Sequence, residues 1–210
     1  MKKLKPHEIE IESFRMITEE LGEHSFSEQE FPVVQRVIHT SADFEFAELL
    51  RFHPDFFTSV KKAFAAKKDI VTDTNMILSG ISKPLMDTIG IKGSCYIKDE
   101  DIIEESKKTG RTRASLSMRK ASGSDNVGGI IIGNAPTALR EVLAVAKEGL
   151  GKPDFIIGVP VGFVDAAESK DALMEQSDIP YISIQGRKGG STIAVAIFNA
   201  LMRLSDAGKL

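Results

Sequence analysis

A chain of 210 residues has the length of one large domain or of two small ones sharing an interface. With 42% hydrophobic and 27% charged residues, 17 Gly and 8 Pro, its balance is globular and excludes a disordered tail, a collagen-like repeat or a heptad rod. A net charge of −3 gives nucleic-acid binding no global support, the lone Cys95 excludes an intramolecular disulfide framework or multi-thiolate metal site, and the apolar runs 129–133 and 155–164 are too short to cross a bilayer.

In chain order, residues 1–12 are charged and lack the apolar stretch of a signal peptide, so a cytoplasmic protein is expected. Pro6 and Gly22 bracket a first helix, with Phe14, Ile17 and Leu21 as its buried stripe. Ser27 and Glu30 have capping-box spacing and open a second helix over 27–40, with Phe31, Val34 and Ile38 facing inward. A third helix is expected over 54–66. After Lys68 the pattern changes to short apolar runs alternating with amphipathic stretches. Strands are predicted at 69–72, 94–97, 129–133, 154–159 and 181–185, and helices at 76–89, 101–121, 137–149, 165–177 and 192–206. This alternation predicts an α/β fold with a doubly wound, mostly parallel sheet. A mainly helical N-terminal part, residues 1–68, packs on the 69–210 sheet, and no linker or internal repeat divides the chain, so residues 1–210 are expected to form one domain.

Ligands of open parallel sheets bind beyond the carboxyl ends of the strands, and the strand exits here are rich in glycine. After the last strand comes Gly186-Arg187-Lys188-Gly189-Gly190-Ser191, which reads either as an anion cradle of main-chain amides or as a tight turn with solvated charges. It is not a Walker loop, and no strand exit supplies a dinucleotide fingerprint. A second basic cluster, Lys107, Lys108, Arg111, Arg113, Arg119 and Lys120, has no acid between Ser106 and Ser124. It suits a polyanionic ligand or the solvated face of a helix. Among the four histidines, His7 and His24 read as surface residues and His53 as a helix-boundary residue. His39 differs: Arg36 shares its helix face and Asp43 follows closely, a set that can bind an anion and shuttle a proton, or simply satisfy a structural imidazole. No His/Cys spacing marks a metal site, no elbow marks a nucleophile, and Cys95 reads as inert core of a strand.

The segment Val37-Ile38-His39-Thr40-Ser41-Ala42-Asp43-Phe44 resembles the signature of the precorrin-8X methylmutase family, which includes the cobalt-precorrin-8 enzymes. So do Asp73-Thr74-Asn75-Met76, Gly133-Asn134-Ala135-Pro136-Thr137-Ala138-Leu139, the stretch 158–170 and the 186–191 loop, five ordered motifs spanning almost the whole chain. The resemblance implies an isomerase that moves a methyl group from C11 to C12 of a corrinoid precursor, giving hydrogenobyrinic acid or its cobalt counterpart, cobyrinate. It implies a homodimer with substrate near the subunit boundary, His39 as the catalytic general acid, and Ser13 and Arg36 as substrate contacts. Thr40, Asp43, Arg113, Lys170, Gly186, Gly189, Gly190 and Ser191 are expected to complete the substrate site. No metal ligand, cofactor, nucleic acid or membrane is expected as a partner, and any cobalt belongs to the tetrapyrrole substrate. Two other readings fit the loops: a non-catalytic corrinoid carrier, and a Rossmann-like enzyme of a sugar phosphate or nucleotide.

Overall fold

The strands carry apolar side chains on both faces, and this dictates a layer of helices on each side of the sheet. Residues 5–210 are described by a computed structural model. In chain order the elements are α1 (Pro6–Leu21), α2 (Glu30–Ser41), α3 (Glu45–Leu49), β1 (Leu50–Phe52), α4 (Phe56–Ala65), β2 (Asp69–Thr72), α5 (Asn75–Gly80), α6 (Lys83–Ile89) and β3 (Gly93–Ser94). They continue with α7 (Glu100–Thr109), α8 (Arg113–Ser122), β4 (Val127–Ile132), α9 (Pro136–Lys147), β5 (Phe155–Gly158), α10 (Ala166–Glu175), β6 (Tyr181–Ile184) and α11 (Ser191–Asp206). The sheet order is β1-β6-β5-β4-β2-β3, parallel except for β1, which runs antiparallel to β6. The doubly wound, mostly parallel α/β fold expected from the sequence is therefore the fold observed.

Alternation along the central strands divides the core. Ile131, Phe155 and Ile157 point into a cluster with α2, α4 and α11, including Val33, Val37, Phe56 and Phe198. Ile130, Ile132 and Ile156 point the other way, onto Met118 of α8, Leu139 of α9 and Leu173 of α10. The reciprocal bonds expected of Ser27 and Glu30 are present in the turn leading into α2, which starts at Glu30 rather than Ser27: Ser27 N–H donates to the Glu30 carboxylate at 2.8 Å, and Glu30 N–H to the Ser27 hydroxyl at 3.2 Å.

Four expectations need correction. The N-terminal part is not only helical, because Leu50–Phe52 adds an edge strand, with Leu50 opposite Ile184. The strand expected at 94–97 shrinks to Gly93–Ser94, since the chain turns away where Asp99 N–H bonds the Tyr96 carbonyl at 3.0 Å. Cys95 consequently lies outside the strand and is half-buried. The helix expected at 76–89 breaks into α5 and α6. Pro84 opens α6, and Asn199 of α11 bridges the break by accepting from Ser82 N–H at 2.9 Å and donating to the Gly80 carbonyl at 3.1 Å. The helix expected at 101–121 breaks at Gly110, whose φ of +72° ends α7, and Thr112 caps the new helix by accepting from Ser115 N–H at 3.1 Å. No helix among the described residues is long and apolar enough to cross a membrane.

Candidate active site

The proposed acid sits in the last turn of α2, where the antiparallel run of α11 leaves a cleft. His39 lines this cleft of about 370 Å³ with Arg36, Thr40, Met76, Ser191, Val195, Asn199 and Arg203, among others. The imidazole is exposed and stacks on Phe14 of α1, ring centroids 5.1 Å apart. The Arg36 guanidinium lies 4.4 Å from the centroid of the same Phe14 ring and donates to Glu10 at 2.6 Å. That ion pair holds the Glu10 carboxyl below its ordinary value. Phe14 thus organises His39 and Arg36 together. The sequence marked it only as core, because helical spacing does not distinguish an apolar anchor from a platform for charged groups.

Ser13, beside Phe14, is half-buried, and its hydroxyl donates to the Ile9 carbonyl one turn back at 2.8 Å. Asp43 does not complete a His–Arg–carboxylate set as its proximity in sequence implied. It binds Lys188 instead, and Lys188 also donates to Glu45 at 2.7 Å. The Lys188 ammonium holds the Asp43 carboxyl below its ordinary value, helped by the Glu45 amide. Lys188 of the 186–191 loop is therefore neutralised by acids at the α2–α3 turn and the start of α3. Arg187 instead lies 5.6 Å from the exposed Phe163 ring.

The 186–191 loop is laced to the preceding strand exit. Gly190 N–H donates to the Val159 carbonyl at 2.9 Å, and Gly162 N–H to the Arg187 carbonyl at 3.2 Å. Gly189 has φ +148°, and a Cβ built there would stand 2.3 Å from the Val159 oxygen, so only glycine fits. Gly186, Gly189 and Gly190 all adopt positive φ, and α11 begins directly after Gly190 with no side-chain cap. Ser191, the first residue of α11, lines the cleft, and its hydroxyl lies 3.3 Å from that of Thr74. From below, Lys170 is fully buried and donates to the Lys188 carbonyl at 2.6 Å. Burial pulls its ammonium down to about 8. Lys170 thus holds the loop from behind.

A buried carboxylate overlooked in the sequence pins the adjacent strand exit. Asp73, at the end of β2 and 1% exposed, accepts the N–H groups of Gly133, Asn134 and Ala135 at 3.1, 2.9 and 2.8 Å. Burial pushes its carboxyl above the ordinary value, and the three amides pull against that shift. Only its place inside a motif signalled it.

The second basic cluster is largely compensated, contrary to its reading as uncompensated charge. Arg111 and Arg119 both pair with Glu141, Arg119 also binds Glu148 at 3.0 Å, and Lys120 meets Asp99 and Asp101 at 2.9 Å each. The acids come from α7 and α9 and the residues that cap them, 19 to 30 positions away in the chain. Arg113 is exposed at the head of α8, in the helical layer opposite α2 and α11, so it does not line the His39 cleft. His24 stacks on Phe31 at 4.1 Å, and the ring nitrogen of His53 accepts from Asp55 N–H at 3.1 Å. The expectation for His7 lies outside the described side chains.

Comparison with known proteins matches this arrangement to one family. The family model described as precorrin-8X methylmutase matches residues 8–204. The cobalt-precorrin-8 methylmutase of Priestia megaterium is 48% identical over 205 residues, covering 98% of this chain and 91% of that protein. That of Leptospira interrogans is 46% identical, over 94% of this chain and 93% of the relative. The solved structure of the Thermus thermophilus precorrin-8X methyl mutase superposes with a TM-score of 0.88 at 37% identity, covering 96% of this chain and 97% of that one. With near-complete coverage in both sequence and fold, this chain belongs to the precorrin-8X methylmutase family.

Proposed function

We propose that the protein is the isomerase that moves a methyl group from C11 to C12 of precorrin-8X or cobalt-precorrin-8, with His39 as general acid. The observation carrying this reading is the position of His39: an exposed imidazole on the wall of a cleft, stacked on Phe14 beside the Arg36 guanidinium. In the reaction the C11–methyl bond breaks and the C12–methyl bond forms, so no atom is gained or lost. Protonating a ring nitrogen makes the conjugated system a better acceptor for the migrating methyl. The imidazole gives that proton and takes it back once the double bonds have rearranged, which is chemistry suited to histidine near neutral pH. The step needs no hydride and no external nucleophile. It therefore calls for no resident cofactor, and any cobalt travels in the substrate.

The substrate is a mostly apolar macrocycle with acetate and propionate groups on its rim. Phe14, Met76 and Val195 offer the apolar contacts. Arg36, Ser13, Thr40, Ser191 and the amides after Gly186, Gly189 and Gly190 are the proposed partners of the rim. Asp43 and Lys170 serve that loop indirectly, through Lys188. Arg113, in the opposite helical layer, takes no part in this set. A homodimer goes with this reading: Val161, Phe163 and Val164 are 46%, 83% and 87% exposed beyond β5, an apolar tip suited to a second copy of the chain.

His39→Asn tests the acid directly. Turnover should fall by about 10²–10⁴-fold, the usual worth of general acid catalysis, while affinity for cobyrinate stays near the parent value. Near-normal turnover in that variant would remove His39 from the mechanism. Unaltered binding with no turnover even in the parent protein would favour a carrier instead.

A further inference from the structure

The His39 cleft is small for its proposed ligand. At about 370 Å³ it lies at the low end of small-molecule sites, which run from roughly 300 to 1,000 Å³, whereas a corrinoid with its side arms needs the upper end. A second groove of about 920 Å³ adjoins it, lined by Phe31, Pro32, Ala200, Leu204 and neighbours along the same pair of helices, α2 and α11. Two residues line both spaces: Arg36 and Arg203.

Arg203 is exposed in the last turn of α11 and forms no ion pair with any described residue. Glu10 is the one carboxylate bonded to either arginine among the described residues. It accepts from Arg36 at 2.6 Å, and the positive charges of Arg36 and Arg203 both favour its ionised form. Arg36 has this carboxylate as its partner and Arg203 has none among the described residues, so the junction of the two spaces keeps an excess of positive charge. A guanidinium presents several donors in a plane and pairs best with a second planar anion.

We propose that Arg203 is a specificity-determining residue that captures a peripheral carboxylate of the macrocycle, and that Glu10 competes with this carboxylate from the neighbouring Arg36 until the substrate displaces it. The proposal rests on the corrinoid reading and deepens it. The ring occupies the cleft under His39, and a side arm runs past Arg36 and Arg203 into the wider groove. Affinity then depends on the charge of that arm, and Glu10 competes with it.

Calorimetric titration of cobyrinate into the parent protein, Arg203→Ala and Glu10→Gln tests this, alongside the same corrin with its rim carboxylates converted to amides. Arg203→Ala should bind the acid form about tenfold more weakly, the equivalent of about 1.4 kcal/mol, and should bind the amide form as the parent does. Glu10→Gln should bind the acid form several-fold more tightly. Equal affinity of Arg203→Ala and parent for the acid form overturns the assignment. So does weaker or unchanged binding by Glu10→Gln. A role confined to the end of α11 would lower the melting temperature of Arg203→Ala and leave its affinity alone, which also counts against the proposal. If the parent protein neither binds cobyrinate nor shifts the methyl group, the corrinoid reading itself falls. Binding and turnover by the parent with an indifferent Arg203 discard only the present inference.

Discussion

Lys170 shows how one side chain ties stability to the geometry of a distant loop. Its ammonium is buried, donates to the Lys188 carbonyl, and is pulled down to about 8 from the 10.5 of a free lysine. A folded-state value below the unfolded one means that the unfolded chain holds more protons between these limits, so stability from this group rises as pH climbs from about 8 toward 10.5. The difference in melting temperature between the parent and Lys170→Met should therefore move in the parent's favour across that window. A difference that stays flat with pH would show that the amine is not desolvated. At the same scale, Phe14 and Glu10 matter through what they touch, an imidazole and a guanidinium, and neither residue type advertises that in a linear sequence.

At the scale of elements, the site is made by strand exits bonded to one another. Asp73 joins β2 to the turn before α9, and its replacement by Ala strands three amides that a buried carboxylate had satisfied. The cost should be roughly 3 kcal/mol in urea unfolding, given the usual worth of hydrogen bonds to charged groups. Asp73→Asn should recover part of it, because the amide oxygen still accepts. Gly189 is the corresponding point between β5 and α11. Gly189→Val meets the Val159 carbonyl and a forbidden φ together, so a destabilisation of about 1–3 kcal/mol is expected with a larger loss of turnover as the loop lifts from the cleft. Full activity at unchanged stability would show that the loop conformation is unimportant. The two broken helices belong to this scale as well: the expected helices ran straight through Pro84 and Gly110, and Asn199, more than a hundred residues away, supplies the hydrogen bonds that satisfy the backbone at the break before α6.

For the whole molecule, the exposed tip Val161, Phe163 and Val164 sets the expected assembly. Sedimentation equilibrium should find a dimer, and Phe163→Asp combined with Val164→Asp should shift it toward monomer while circular dichroism stays unchanged. A monomeric parent protein would contradict the proposed pairing. The sequence by itself determined the doubly wound class, because β-branched runs such as Ile130–Ile131–Ile132 alternating with amphipathic stretches bury only between two helical layers. It also placed Arg36 on the helix face of His39, since a spacing of three on one helix brings side chains together whatever surrounds them. The tertiary structure alone decided the rest. It gave Asp43 to Lys188 rather than to His39, neutralised Arg111, Arg119 and Lys120 with acids from other helices, and added an antiparallel edge strand from the N-terminal part. Each of these depends on which distant residue arrives opposite, and charge and pairing act through space, where local periodicity carries no information.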